Sequence, residues 1–316
     1  MARMMRSSGS PTLPSMVLPF GYAERPDSIT FSRLTLVAAA LAGFAAIASA
    51  QFTSGVNIVE VYAAVVDRQG NPVTDLGRRD FTVLEDGRAQ AVTAFAEADF
   101  PLTVALGVDR SFSMATRSRS APLPSASAAR TFLSELRPQD ESMIVAIGSE
   151  VEILAPLSTD RQPQLAILSS LEPWGTTGLY DAVIAAIDAI QGAKGRRALV
   201  LLSDGNDRYS KASTDAALER ARRSDVMIYP VAFGRTRPPL FAELAALTGG
   251  RSSQPRDPVQ LDATMRAIAN ELHHQYLLGY TPSRPIVAGE EQWRTITVRV
   301  NRSDVTVRAR DGYVAR

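Results

Sequence analysis

The chain has 316 residues, 45% of them hydrophobic and 21% charged, with a formal net charge of +1. That is the composition of an ordinary globular protein, with room for about two domains at roughly 150 residues each, and its near-neutral balance gives no whole-molecule field to draw in nucleic acid or an anionic membrane. With no cysteine and two histidines, His273 and His274, disulfides, thiolate zinc sites, iron–sulfur clusters and cysteine nucleophiles are excluded.

Residues 1–32 are rich in Pro and Ser and show no structural pattern; Met16 is an alternative start within them. Arg33 then precedes an apolar stretch from Leu34 to Ile47, which ends in Ala48-Ser49-Ala50. A positive flank, a short apolar core and an A-x-A ending describe a secretory signal peptide cut after Ala50. The stretch is Ala-rich and too short for a comfortable membrane span. Residues 1–50 are therefore expected to be a leader, and the mature chain to be secreted or periplasmic with no stable membrane span.

Residues 51–98 read as extended chain. Val56, Ile58 and Val61 to Val66 lead to a turn at Gly70-Asn71-Pro72. Phe81 and Val83 precede Glu85-Asp86-Gly87-Arg88, a strong hairpin signal, and Val92 to Phe95 return. Over residues 99–274 the rhythm changes. Unbroken apolar runs at Leu102–Val108, Met143–Ile147, Ala198–Leu202 and Val226–Phe233 suit strands of a parallel sheet covered on both faces. Between and after them, Leu179, Val183, Ile187 and Ile190 fall on one helical stripe, as do Leu240, Leu244 and Leu247, with Gly249-Gly250 as a stop. Asp257-Pro258 opens a last helix that buries Leu261, Met265, Ile268 and Leu272. The expected fold is α/β: a Rossmann-like open, mostly parallel sheet with helices on both faces.

Residues 275–316 are extended again, through Tyr276, Leu278 and Tyr280, then Ile296, Val298 and Val300, then Val305 and Val307, with Pro282 to Glu291 as a loop. Each flank has only about 40 residues, which is marginal for an independent β-domain. The two are expected to pair into one small β-sandwich with the α/β domain inserted between them. The arginines of the tail, Arg294, Arg299, Arg302, Arg308, Arg310 and Arg316, are expected on a solvated sheet face.

In an open parallel sheet, ligands bind beyond the carboxyl ends of the strands. Asp109-Arg110-Ser111-Phe112-Ser113 follows the first apolar run. Gly175-Thr176-Thr177-Gly178 precedes the Leu179 helix, and Ser203-Asp204-Gly205-Asn206-Asp207 follows the third run. Two carboxylates, two serine hydroxyls and a threonine hydroxyl thus reach one edge, with no Lys, Cys or His beside them. All-oxygen donors with few negative charges suit a hard divalent cation, most plausibly Mg²⁺ or Mn²⁺, with Ca²⁺ also possible. Taken singly, each segment also fits a helix cap or turn; the force lies in all three together. Asp207 is expected to be solvated. His273 and His274, neighbours about 100° apart on a helix, are poor joint ligands and are expected at the surface or as favourable C-terminal charge.

Asp-x-Ser-x-Ser, the Gly-Thr-Thr-Gly-Leu-Tyr-Asp loop and Leu-Leu-Ser-Asp-Gly resemble the metal-ion-dependent adhesion site of the von Willebrand factor A family, over roughly residues 100–272. The resemblance implies that Ser111, Ser113 and Thr177 offer hydroxyls to the metal and that Asp109 and Asp204 act as its carboxylates, partly through water. The family most often has Gly before the second serine. Phe112 stands there instead, either altering the loop or forming an exposed apolar contact, and Thr176 beside Thr177 leaves two candidate threonines. Phe81-Thr82-Val83-Leu84-Glu85-Asp86-Gly87, Tyr276 to Pro282 and the ending from Val305 to Tyr313 also resemble a secreted acidobacterial group of von Willebrand factor A-related proteins.

The expected function is recognition, not catalysis: a metal-held carboxylate from a protein partner, with Arg110, Phe112, Trp174 and Asp207 setting specificity. Trp174 is either core or an exposed anchor. No G-x-S-x-G elbow, phosphate loop or dinucleotide fingerprint is present. The alternatives are a structural envelope scaffold with a degenerate metal site, or a Mg²⁺-dependent hydrolase using Asp109 and Asp204.

Overall fold

The computed structural model describes residues 58–97, 100–116, 122–287 and 289–316. The expected leader and its cleavage point after Ala50 lie outside them. The described residues from Ile58 to Arg316 fall in one compact unit.

The N-terminal flank forms β1 (Val59–Asp67), β2 (Phe81–Glu85), β3 (Arg88–Gln90) and β4 (Val92–Glu97). β2 and β3 are joined by Asp86-Gly87, both with positive φ (47° and 76°), as a two-residue hairpin turn matched to strand twist requires. The α/β region follows: β5 (Leu102–Asp109), α1 (Pro124–Ser134), β6 (Glu141–Ile147), β7 (Val151–Ser158), α2 (Gln162–Ser169), α3 (Leu179–Ile190), β8 (Arg196–Ser203), α4 (Thr214–Arg222), β9 (Val226–Ala232), α5 (Pro239–Thr248) and α6 (Pro258–His273). The C-terminal flank adds β10 (Tyr276–Tyr280), β11 (Gln292–Val300), β12 (Val305–Arg308) and β13 (Gly312–Ala315).

The α/β sheet runs β7-β6-β5-β8-β9, parallel except for the antiparallel edge strand β7. All eight residues of β5 are buried, and so are all seven of β9, because helices cover both faces. One apolar cluster joins alternate residues such as Val104, Leu106 and Val200 to α1 and α6. The other joins Ala105, Leu199 and Leu201 to α3 and α5. Pro230, in the middle of β9, has no N–H to give; it is tolerated because β9 is an edge. Asp257 caps α6 as expected, its Oδ1 accepting the Gln260 N–H at 2.8 Å.

The flanks form two four-stranded antiparallel sheets, β12-β1-β10-β4 and β13-β11-β2-β3. Each mixes strands from both ends of the chain: Val61 opposes Leu278, Val65 opposes Val307, and Val83 opposes Val298. Val61, Val65, Phe81, Val83, Tyr276, Leu278, Tyr280 and Ile296 belong to one shared core, so an α/β layer with a β-sandwich made from both flanks is the architecture.

Two surface expectations fail. Arg294 is among the largest fully buried side chains, donating to buried Glu85 at 3.1 Å and to the carbonyls of Arg284 and Pro285. Glu85 also accepts the hydroxyls of Tyr280 and Tyr313, each at 2.9 Å. Burial, then the bond to Glu85, pushes the Tyr313 hydroxyl up to about 12. Alternation along β11 turned this arginine inward, and the buried carboxylate is what makes that possible. Arg308 likewise reaches inward, to Glu271 on α6 at 2.6 Å.

His273 is the second correction. It is buried, and its Nε2–H donates to Asp140 Oδ2 at 2.8 Å; His274 sits over the Asn270 carbonyl. Burial pushes the Asp140 carboxyl up. The bond from His273 and the N–H donors of Arg137 and Leu102 more than offset this and hold it below the usual carboxylate range. A depressed carboxyl stabilises the fold above its unfolded-state value, and that contribution is lost as pH falls through the depressed one. Asp140→Asn is therefore expected to cost about 1–3 kcal/mol at pH 7. Its deficit against wild type in urea unfolding should shrink below about pH 4.

Candidate metal centre

β5 is the middle strand of its sheet, and its last residue, Asp109, is fully buried. A charge there must be satisfied internally. Oδ1 accepts the Ser111 N–H at 2.9 Å, and Oδ2 accepts the Ser203 hydroxyl from the end of β8 at 2.5 Å. Ser203 Oγ in turn accepts the Gly205 N–H at 3.0 Å. The Ser125 hydroxyl on α1 donates to the Asp109 carbonyl, so both neighbouring elements fix the residue. Burial pushes the Asp109 carboxyl up; the Ser111 and Ser203 bonds work against that, and the Asp204 charge adds to it. Two carboxylates therefore repel each other across this edge.

Ser111 is buried and Ser113 exposed, with their hydroxyl oxygens 3.0 Å apart. The Thr loop is stitched onto this turn: Trp174 N–H donates to the Arg110 carbonyl, and Phe112 N–H to that of Gly175. Thr177 is buried, and its carbonyl accepts the N–H groups of Arg208 and Tyr209. Thr176 is exposed and turned to Ser149, whose Oγ accepts its N–H. Asp204 sits half-buried at the end of β8, Oδ1 accepting the Asn206 N–H. The structure thus gathers Asp109, Ser111, Ser113, Thr177 and Asp204 on three interlocked loops at one sheet edge. Among the described residues no group of three or more His, Cys, Asp or Glu side chains could hold a metal. A cation here would rest on hydroxyls as much as on carboxylates.

Three side chains take roles the sequence did not reveal. Ser203, read only as part of a motif, anchors the central carboxylate. Asp207, expected to be solvated, accepts the Leu179 N–H at 2.7 Å and the Ser210 hydroxyl at 2.6 Å. Ser210 Oγ accepts the N–H groups of Tyr180 and Asp181. Together they cap α3 from another loop, which sequence-local cap rules cannot see. Around the centre, Phe112 is 66% exposed, Trp174 45% and Tyr209 58%. The Arg110 guanidinium lies over Trp174, 5.0 Å from the ring centroid, and pairs with Glu152 at 3.1 Å.

Residues 104–206 match the family model described as the von Willebrand factor type A domain. These residues form a von Willebrand factor A-type domain. The sheet is also similar to solved structures. One is BatB from Bacteroides thetaiotaomicron, at 15% identity and TM-score 0.45, covering 54% of this chain and 98% of that one. A von Willebrand factor type A protein from Catenulispora acidiphila aligns at 12% and 0.49, covering 81% and 73%. Proximal thread matrix protein 1 from the mussel byssus, with a zinc-occupied metal site, aligns at 12% and 0.49, covering 57% and 47%. No curated protein matches. Among the described residues no helix is long and apolar enough to cross a membrane.

Asp207→Ala is expected to strip the von Willebrand factor A-type domain of its α3 cap at a cost of about 1–2 kcal/mol. Asp207→Asn should recover most of that in urea unfolding.

Proposed function

We propose that the domain holds one divalent cation at Asp109, Ser111, Ser113, Thr177 and Asp204, and there captures an acidic side chain of a protein partner outside the cytoplasm. The observation that carries this is the spacing of the two serine hydroxyls beside a fixed, buried carboxylate. Oxygens around Mg²⁺ at 2.0–2.1 Å in octahedral geometry stand about 2.9 Å from their nearest neighbours. Ser111 Oγ and Ser113 Oγ stand 3.0 Å apart. A hard donor set of hydroxyls and two carboxylates supports Mg²⁺ or Mn²⁺.

Asp109 neutralises the site from below; its own oxygens are occupied by Ser111 and Ser203, which supports a role through water. Asp204 supplies the second negative charge. Thr177 is favoured over Thr176 because Thr176 is turned away to Ser149. A cation held by hydroxyls and two carboxylates supplies an electron-poor coordination position for an incoming carboxylate. Phe112, Trp174 and Tyr209 stand ready as rigid anchors for the partner, whereas Asp207 is consumed by its cap. Recognition is favoured over hydrolysis because His273 is engaged by Asp140 and His274 by the helix end, leaving the serines without a histidine base. The extracytoplasmic address rests on the leader and its A-x-A ending.

Mg²⁺ at a hundredfold excess over its dissociation constant should stabilise the domain by about 2.7 kcal/mol, or roughly 5–10 °C in melting temperature. Ser113→Ala, Asp204→Asn and Thr177→Val should lose that shift, and Thr176→Val should keep it. An equal shift in all four variants would place the ion elsewhere.

A further inference from the structure

Beside the metal centre a cleft of about 600 Å³ opens on the same sheet edge. Three strand-end loops build it: Ser113 to Thr116 after β5, Asp204 to Asn206 after β8, and Phe233 to Pro239 after β9. The Phe233 N–H donates to the Ser203 carbonyl, which ties the third loop to the second. Gly205 is left-handed (φ 77°), and a Cβ there would fall 2.0 Å from Pro238, so only glycine lets the Asp204 loop close against that wall. Met114, Phe233 and Pro238 give the cleft an apolar lining, and Arg235 brings an exposed guanidinium. That guanidinium has no ion pair among the described residues. Ser113 and Asp204 form the end shared with the metal centre.

We propose that this cleft is a second subsite for the partner, specific for a peptide segment with two carboxylates. One would go to the metal centre and the other to Arg235, with an apolar side chain between them lying on Met114, Phe233 and Pro238. The inference rests on the cation reading above. Charge complementarity selects the occupant: with a cation at Asp204, the cleft offers an electron-poor coordination position, the Arg235 guanidinium and an apolar lining. The apolar lining, and the Asp204 carboxylate in the absence of a cation, disfavour a polyphosphate backbone. The volume is that of a small-ligand pocket, large enough for a few side chains.

The test uses the full chain on an array of decapeptides. Each carries one Asp at a fixed position, Asp, Lys or Ser one to five residues away, and Leu or Ser between them, read in Mg²⁺ and in EDTA. Wild type should select two-acid, Leu-containing peptides at one separation. Arg235→Ala should reduce that binding about threefold to tenfold, towards the one-acid level, as loss of a partly screened ion pair does. Arg235→Glu should instead favour Lys at the second position. Mg²⁺-induced stabilisation should be unchanged in both variants, which shows that they fold and load metal. Unaltered two-acid preference in Arg235→Ala would overturn the inference, as would no retained peptide in a wild type that still takes up Mg²⁺. Arg235-dependent selection of two-acid peptides that persists in EDTA would uphold the cleft and overturn the cation reading.

Discussion

Asp109 is a carboxylate with no exposure at the end of the central strand, and much of the surrounding architecture answers to it. A buried charge is tolerated only when it is hydrogen-bonded and compensated. The bonds come from Ser111 and Ser203, that is, from its own turn and from the adjacent strand. Compensation is another matter, since the nearby charge of Asp204 works in the unfavourable direction. The site has been given fixed donors and an excess of negative charge, which is the arrangement a cation relieves. Its precision comes from the sheet: β5 lies between β6 and β8, so no edge strand can fray and release the carboxylate.

The sandwich solves a different problem, that of two short flanks with too little apolar surface apiece. Among the described residues β1 meets its own flank only at the turn that follows it, where Val66 bridges Pro72; its partner strands are β10 and β12. Closing the sandwich therefore brings the two flanks together. Glu85 of the N-terminal flank and Tyr280, Arg294 and Tyr313 of the C-terminal flank lock that closure with one polar group. Glu271 on α6 continues the connection inward, accepting the Tyr229 hydroxyl at 2.9 Å and pairing with Arg308 on β12.

Legibility in the sequence followed the physics of burial. Strands covered on both faces, such as β5 and β8, announce themselves as unbroken apolar runs. α3 and α6 show long stripes of Val, Ile, Leu and Met. The helices that escaped notice bury small or few side chains: Ala126, Ala128 and Ala129 beside Phe132 and Leu133 in α1, and Ala217 and Ala221 in α4. A stripe of alanine carries little periodic signal. β7 escaped because an edge strand interrupted by Glu152 and Pro156 has no continuous apolar run. At the candidate metal centre the motif residues were readable because two of the segments stand at strand ends and the third opens a helix. Ser203, Asp207 and the inward-facing Arg294 and His273 were not, since their partners lie far away in the chain, and no local pattern distinguishes a buried, paired charge from a solvated one.

The central claim is that one cation sits on these oxygen donors. Calorimetric titration of Mg²⁺ into the full chain, alongside Asp109→Ala, tests it most directly. One saturable site per chain, present in wild type and absent in the variant, is the expected result. Equal uptake by the two proteins would contradict the account, because the buried carboxylate around which the loops are built would then have no part in holding the metal.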